Sequence, residues 1–77
     1  LEALRRAIYI EPDSALAHFL CGGLLFRQGQ RGRGQRSMET VVRLLATVSR
    51  DEPVPGADGL TAGRLLETAR AYLEAHR

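Results

Sequence analysis

What most constrains this chain is the apolar density between Asp13 and Leu45 and the single place where it breaks. Ala15-Leu16-Ala17-His18-Phe19-Leu20-Cys21-Gly22-Gly23-Leu24-Leu25-Phe26 carries apolar side chains at helical spacing on more than one face. Leu16, Phe19, Leu20 and Leu24 form one stripe, with Cys21 and Leu25 on an adjoining face. A helix that is apolar around much of its circumference must be covered from several sides. This helix is expected to run to about Gln28, and Gly29 is a natural left-handed stop after it. Met38, Val41, Val42, Leu44 and Leu45 then outline a second helix, from Arg31 or Arg33 to about Val48. Gly32 and Gly34 weaken its first turn. The stretch therefore predicts two helices folded back across a tight turn.

Glycine inside a helix costs about 1 kcal/mol relative to alanine. Gly22-Gly23 in the first helix consequently predicts close approach of another backbone.

The flanks are simpler. Leu4, Ala7, Ile8 and Leu1 share one side of an opening helix, with Arg5 and Arg6 opposite. Glu11-Pro12-Asp13 ends it, since the residue before proline is pushed out of the α region. Asp13 or Ser14 then supplies an N-cap oxygen. From Ser49 to Gly59 two prolines and two glycines predict a loop. Thr61 is the expected N-cap of a last helix, with Leu60 and Leu65 at the positions of a hydrophobic staple. Leu65, Leu66, Ala69, Tyr72 and Leu73 make its buried stripe, and Glu67, Arg70, Glu74 and Arg77 lie mostly away from it.

Composition narrows the function classes. Seventy-seven residues allow one domain, close to the lower limit for a fold held by its core alone. A net charge of +2 is too small to predict nucleic-acid binding without a focused basic face. Arg27, Arg31, Arg33, Arg36 and Arg43 gather around the turn and second helix, but no aromatic side chains interleave them. A solvated surface is favoured there over an acidic protein partner, and that over nucleic acid. No apolar run approaches the roughly 20 residues of a membrane span, so no membrane contact is expected. One cysteine allows no internal disulfide and fits a reducing, cytoplasmic setting. The chain opens on Leu1-Glu2-Ala3-Leu4 with no initiating Met, which predicts a piece of a longer protein.

Candidate chemistry is sparse. His18, Cys21 and His76 are the only soft ligands, too few for zinc. A semi-buried histidine and a core cysteine are the favoured reading. Asp51, Glu52 and Asp58 sit in a Pro/Gly loop, where solvated acids or a capping role for Asp58 outweigh acid–base work. No glycine-rich loop follows a strand, so no nucleotide cofactor is expected. The chain reads as non-catalytic, without metal or cofactor.

A shift of 34 residues lays Leu4 on Met38, Ala7 on Val41, Ile8 on Val42 and Ile10 on Leu44, apolar on apolar. Helix–turn–helix units of that period are tetratricopeptide (TPR) repeats. The chain resembles a TPR at Gly22, Gly29 and Gly34, and in Ala7-Ile8-Tyr9-Ile10-Glu11-Pro12, which looks like the motif's closing stretch; the resemblance implies that Gly22 and Gly34 are the close-packing pair of the two helices. It departs at His18, Cys21, Met38 and Val41. The resemblance implies an all-α, TPR-like array of about four helices: residues 1–11 closing a preceding repeat, 13–48 one full repeat, 49–60 a loop, 61–76 a capping helix.

The tail Asp51-Glu52-Pro53-Val54-Pro55-Gly56-Ala57-Asp58-Gly59-Leu60-Thr61-Ala62-Gly63-Arg64-Leu65 resembles the carboxyl end of TPR-bearing CheR-type chemotaxis methyltransferases, as does Ala15-Leu16-Ala17-His18-Phe19 with Arg27-Gln28-Gly29. That resemblance implies a parent enzyme moving methyl groups from S-adenosylmethionine to chemoreceptor glutamates. For this chain it implies a non-catalytic interaction domain, binding a chemoreceptor, a signalling protein or the parent's own catalytic domain. The alternative is a generic TPR or helical dimerisation unit of an unrelated regulator. The first helix of a TPR lines a groove, which here places Leu16, Phe19, Leu20, Gly23, Phe26 and Arg27 as partner-binding residues. Phe19 and Gly23 stand where carboxylate-clamping repeats carry Lys and Asn, so a carboxylate clamp is not expected. The groove either grips an amphipathic helix or is covered by the chain's own last helix, the latter being favoured. The face of Leu1–Ile10 is a further expected site of self-association.

Overall fold

Four helices account for most of the chain: α1 (Glu2–Ile10), α2 (Ala15–Arg27), α3 (Arg31–Leu45) and α4 (Ala62–Ala75). They are seen in a computed structural model that describes residues 1–76. Arg77, expected on the solvent side of α4, lies outside the described residues. Among the described residues there is no strand, only an isolated bridge between Pro53 and Thr61. The Cα radius of gyration, 11.6 Å, equals what a compact chain of this length should have, roughly 11.5 Å. No described helix is long and apolar enough to cross a membrane.

The helix ends follow local chemistry. Between the two candidate caps of α2, Ser14 does the work: its hydroxyl accepts from the Ala17 N–H at 3.2 Å. Thr61 caps α4 in the same way, accepting from Arg64 N–H at 3.3 Å. After α2, Gly29 adopts φ +78°. Its N–H donates to Phe26 O at 3.0 Å and Gln30 N–H reaches back to Leu25 O at 2.9 Å. These two bonds form the Schellman closure, which glycine makes without a Cβ penalty.

α2 and α3 then pack closely. A Cβ built on Gly22 would lie 3.0 Å from Ser37 Cβ, 3.0 Å from Met38 Cε and 3.3 Å from Gly34 O. One on Gly34 would meet the Phe26 ring at 3.1 Å. Gly22 and Gly34 are thus a true contact pair, but Gly23 is not part of it: its nearest neighbour would be the Tyr72 hydroxyl at 3.7 Å, an ordinary contact. Met38 and Val41, fully buried, fill the seam, and Leu65 and Ala69 of α4 join the same core cluster.

Two expectations change, and packing selects which face of α2 is enclosed. The most enclosed positions of α2 are Ala15, Ala17, Cys21, Gly22 and Leu25, whereas Leu16, Phe19 and Leu24 are half-buried and Leu20 is 46% exposed. The adjoining face, not the main stripe, turns toward α3, because small residues let the backbones approach. Ile10 aligns with a core-facing position in the offset yet is 71% exposed, and no residue of α1 is buried. Among the helices α1 packs chiefly on α2, and Ile10 lies on its solvent side. Finally, α3 starts at Arg31 in spite of Gly32 and Gly34 but ends at Leu45, short of Val48. Ala46 and Val48 N–H groups bond three residues back instead.

The tighter turn leads into a loop that is packed rather than free. Val54 is 7% exposed and belongs to the core cluster. Its N–H donates to Leu60 O at 2.8 Å, and Ala62 N–H donates to Glu52 O at 2.8 Å. Arg50 pairs with Glu67 across this junction, but both side chains are 59% exposed, so the pair contributes little.

The seam makes opposite predictions for adjacent glycines. Gly22→Val should destabilise the domain by about 2 kcal/mol through overpacking against Ser37 and Gly34. Gly23→Ala should stabilise it by up to about 1 kcal/mol through helix propensity. Urea denaturation of the two variants checks both signs.

Candidate functional site

With the seam buried, the remaining surface of α2 is the place to look for a partner site. The six candidate residues do not form one continuous lining. Phe26 is withdrawn from it. Its ring stacks on Tyr72, with centroids 5.4 Å apart at 13°, and on His76, at 4.2 Å and 19°. Phe19 meets the same Tyr72 edge-on at 5.8 Å and 79°. These contacts come from α4, so the last helix covers the Phe19–Phe26 part of the face.

Phe19, Leu20, Gly23 and Arg27 border a shallow depression together with Leu4, Leu24 and Tyr72. Leu16 lies elsewhere, in a larger cleft of about 690 Å³ that also includes Leu4 and Leu20. Because Leu4 and Leu20 line both, the two depressions adjoin along α2. The cleft lies at one end of the bundle. The end of α1 (Ala7, Glu11), the start of α2 (Asp13 to Ala17), the end of α3 (Leu44, Leu45) and the loop residues Glu52 to Gly56 converge there. Its volume is in the range of sites that hold a few side chains of a ligand. The lining is chiefly apolar, and Leu20 and Val48 are open to solvent, 46% and 36% exposed.

Several contributors have no signal in helical periodicity. Val54 comes from the Pro/Gly loop and forms part of the cleft wall while plugging the core. His76 was weighed only as a metal ligand, yet its ring stacks on Phe26. Gln35 Nε2 donates to the His76 carbonyl, tying α3 to the end of α4. Aromatic spacing hints at one part of this: Tyr72 and His76, four apart on one helix, present adjacent faces.

His18, Cys21 and the arginines around the turn do not line the cleft, whereas the acids Glu11, Asp13 and Glu52 do. Cys21 is 6% exposed inside the bundle. His18 Nε2 is 2.8 Å from Pro12 O, so the ring is engaged with the α1–α2 connection. Among the described residues no three of His, Cys, Asp and Glu converge as metal ligands would. Arg27, Arg31, Arg33, Arg36 and Arg43 are exposed, Arg33 donating to Gln30 Oε1 at 2.6 Å. What the arrangement offers chemically is an apolar recess bordered by the ends of helices.

Tyr72 should carry the attachment of α4 to α2. Tyr72→Ala is expected to lose about 2 kcal/mol, from the ring's burial and its two aromatic contacts. Tyr72→Phe, which keeps the ring, should stay within about 0.5 kcal/mol of the parent. Thermal unfolding followed by circular dichroism separates the two.

No family model matches the chain, and neither the curated proteins nor the solved structures give a match.

Proposed function

We propose that this chain is a non-catalytic protein-interaction module of TPR type, whose docking surface is the uncovered part of α2. The observation that carries the proposal is the exposed Leu20 in an apolar recess between α1 and the 52–56 loop, beside a Phe19–Phe26 face already taken by α4. A 77-residue chain has little apolar surface to spare. A recess of this kind left open is therefore better explained by a partner than by folding needs. The 34-residue offset and the Gly22–Gly34 contact support the TPR reading of the α2–α3 hairpin.

The setting we propose is the carboxyl-terminal region of a CheR-type, S-adenosylmethionine-dependent chemoreceptor methyltransferase. It rests on the sequence resemblance of the Asp51–Leu65 tail and of the α2 segment. In that setting the module would position the enzyme on a chemoreceptor or signalling protein, or restrain its catalytic domain. The partner is then a protein, and the chain itself contributes no cofactor site.

A second reading is favoured by one observation. Tyr9 and Ile10 at the end of α1 are 87% and 71% exposed, which suits a helical self-association unit. Sedimentation equilibrium of the parent and of Tyr9→Ser/Ile10→Ser separates the readings, a monomeric parent removing the second.

The principal test is binding of the purified chain to a chemoreceptor cytoplasmic segment and to a CheR-type catalytic domain. Leu20→Glu should keep the parent's stability within about 0.5 kcal/mol, since its side chain is half in water, and should lose the bound protein. Calorimetry with S-adenosylmethionine should show no binding by this chain. Failure to bind either protein would remove the chemotaxis setting, and micromolar cofactor binding would remove the non-catalytic reading.

A further inference from the structure

The cleft at the end of the bundle has a sign as well as a shape. Three charged residues line it: Glu11 at the end of α1, Asp13 before α2 and Glu52 in the loop. All are acids, all are exposed, and none joins an ion pair among the described residues. The other depression along α2 has Arg27 as its charged residue. Potential therefore runs from negative at the start of α2 to positive at its end, over an apolar floor that includes Leu4, Leu16 and Leu20.

We propose that the cleft seats an amphipathic helical segment of a partner protein, with its apolar stripe on Leu16 and Leu20 and with Lys or Arg residues at the end that meets Glu11, Asp13 and Glu52. This rests on the interaction-module reading and adds the partner's chemistry and direction to it. From Leu16 to Gly23, which line the two adjoining depressions, α2 rises about 10 Å, two turns, which matches a partner stripe at i, i+3, i+4 and i+7. The oppositely charged ends fix which way that stripe runs, because the reverse orientation would bring like charges together at the rim.

A second copy of this chain is the poorer occupant. Two copies facing each other through the cleft would set the acidic rims together. The chain's basic turn, Arg27 to Arg33, offers charge, but the exposed large apolar residues are Tyr9, Ile10, Leu20 and Val48, none of them on that turn. α1 does set exposed Arg5 and Arg6 beside exposed Tyr9 and Ile10, but Leu4 and Ala7 of that same helix, with Glu11 at its end, build one wall of the cleft. A dimer in sedimentation equilibrium that is lost in Tyr9→Ser/Ile10→Ser would make the second copy the occupant and overturn the proposal.

The test uses fluorescence anisotropy of the purified chain with two labelled synthetic helical peptides. Both carry Leu at i, i+3, i+4 and i+7. One ends in three Lys and the other in three Glu, placed to meet the acidic rim. The Lys peptide should bind about tenfold more tightly at low salt, the sum of three exposed charge contacts. That gap should close toward 1 M salt, where screening shortens to about 3 Å. The double substitution Glu11→Lys/Glu52→Lys, with an unchanged circular dichroism spectrum, should reverse the preference, and Leu20→Glu should weaken both peptides. Equal binding of the two peptides that still depends on Leu20 would overturn the charge assignment while leaving an interaction site on α2. No binding of either peptide up to roughly 1 mM would overturn this cleft as a docking site altogether. Binding that depends on charge but not on Leu20 would overturn the seating of the apolar stripe.

Discussion

The rest of the structure depends on how closely α2 approaches α3. At Gly22 the space is bounded by Ser37, Met38 and the Gly34 carbonyl, and at Gly34 by the flat of the Phe26 ring. Two helices can come this near only where both lack side chains. Once they do, Met38 and Val41 become fully buried and share one core cluster with Leu65 and Ala69 of α4. The two glycines lower helix propensity where they stand, but the packing they allow outweighs that loss. Most helical stability in a folded protein comes from such packing rather than from propensity.

The same contact decides what α2 leaves outside. With Cys21, Gly22 and Leu25 turned inward, Leu16 and Leu20 point away from the seam. α4 reaches over only part of that outer face, through the Tyr72 and His76 rings on Phe19 and Phe26. The long connection from Leu45 to Ala62 returns toward the same end of the bundle and anchors itself with Val54. Between that anchored loop and α1 a recess remains, and it owes its acidic rim to residues that end helices or turn the chain: Glu11, Asp13 and Glu52. A candidate site thus arises where three connections meet, rather than along the middle of a helix.

Local chemistry was legible wherever a single residue type performs a single backbone task. The Ser14 and Thr61 hydroxyl oxygens accept backbone N–H groups at helix starts, Gly29 takes the left-handed turn, and the residue before Pro12 leaves the helix. The buried stripe of α4 was equally plain, because a helix with one apolar face admits one orientation. α2 was harder. A segment apolar on several sides satisfies several orientations, and only packing selects the one that turns Ala17, Cys21 and Leu25 inward. Of the groove candidates Leu20 is exposed whereas Phe26 is spent on α4 contacts, and Val54 and His76 had no periodic pattern to mark them. Exposure of Ile10 escaped the repeat offset for a related reason: matching residues at matching positions bury only if a neighbour is present on that side.

By itself, then, the sequence determined the number of helices, their caps, the hairpin turn and the glycine pair through which the hairpin closes, all set by contacts within a few residues or by the absence of a Cβ. Only the tertiary structure decided which face of α2 is enclosed, how much of the other face α4 covers, and that the loop contributes a core residue and a cleft wall. Those outcomes depend on contacts between segments far apart in the chain. Side-chain size, ring stacking and hydrogen bonds such as Gln35 to His76 select among orientations that helical periodicity leaves equal.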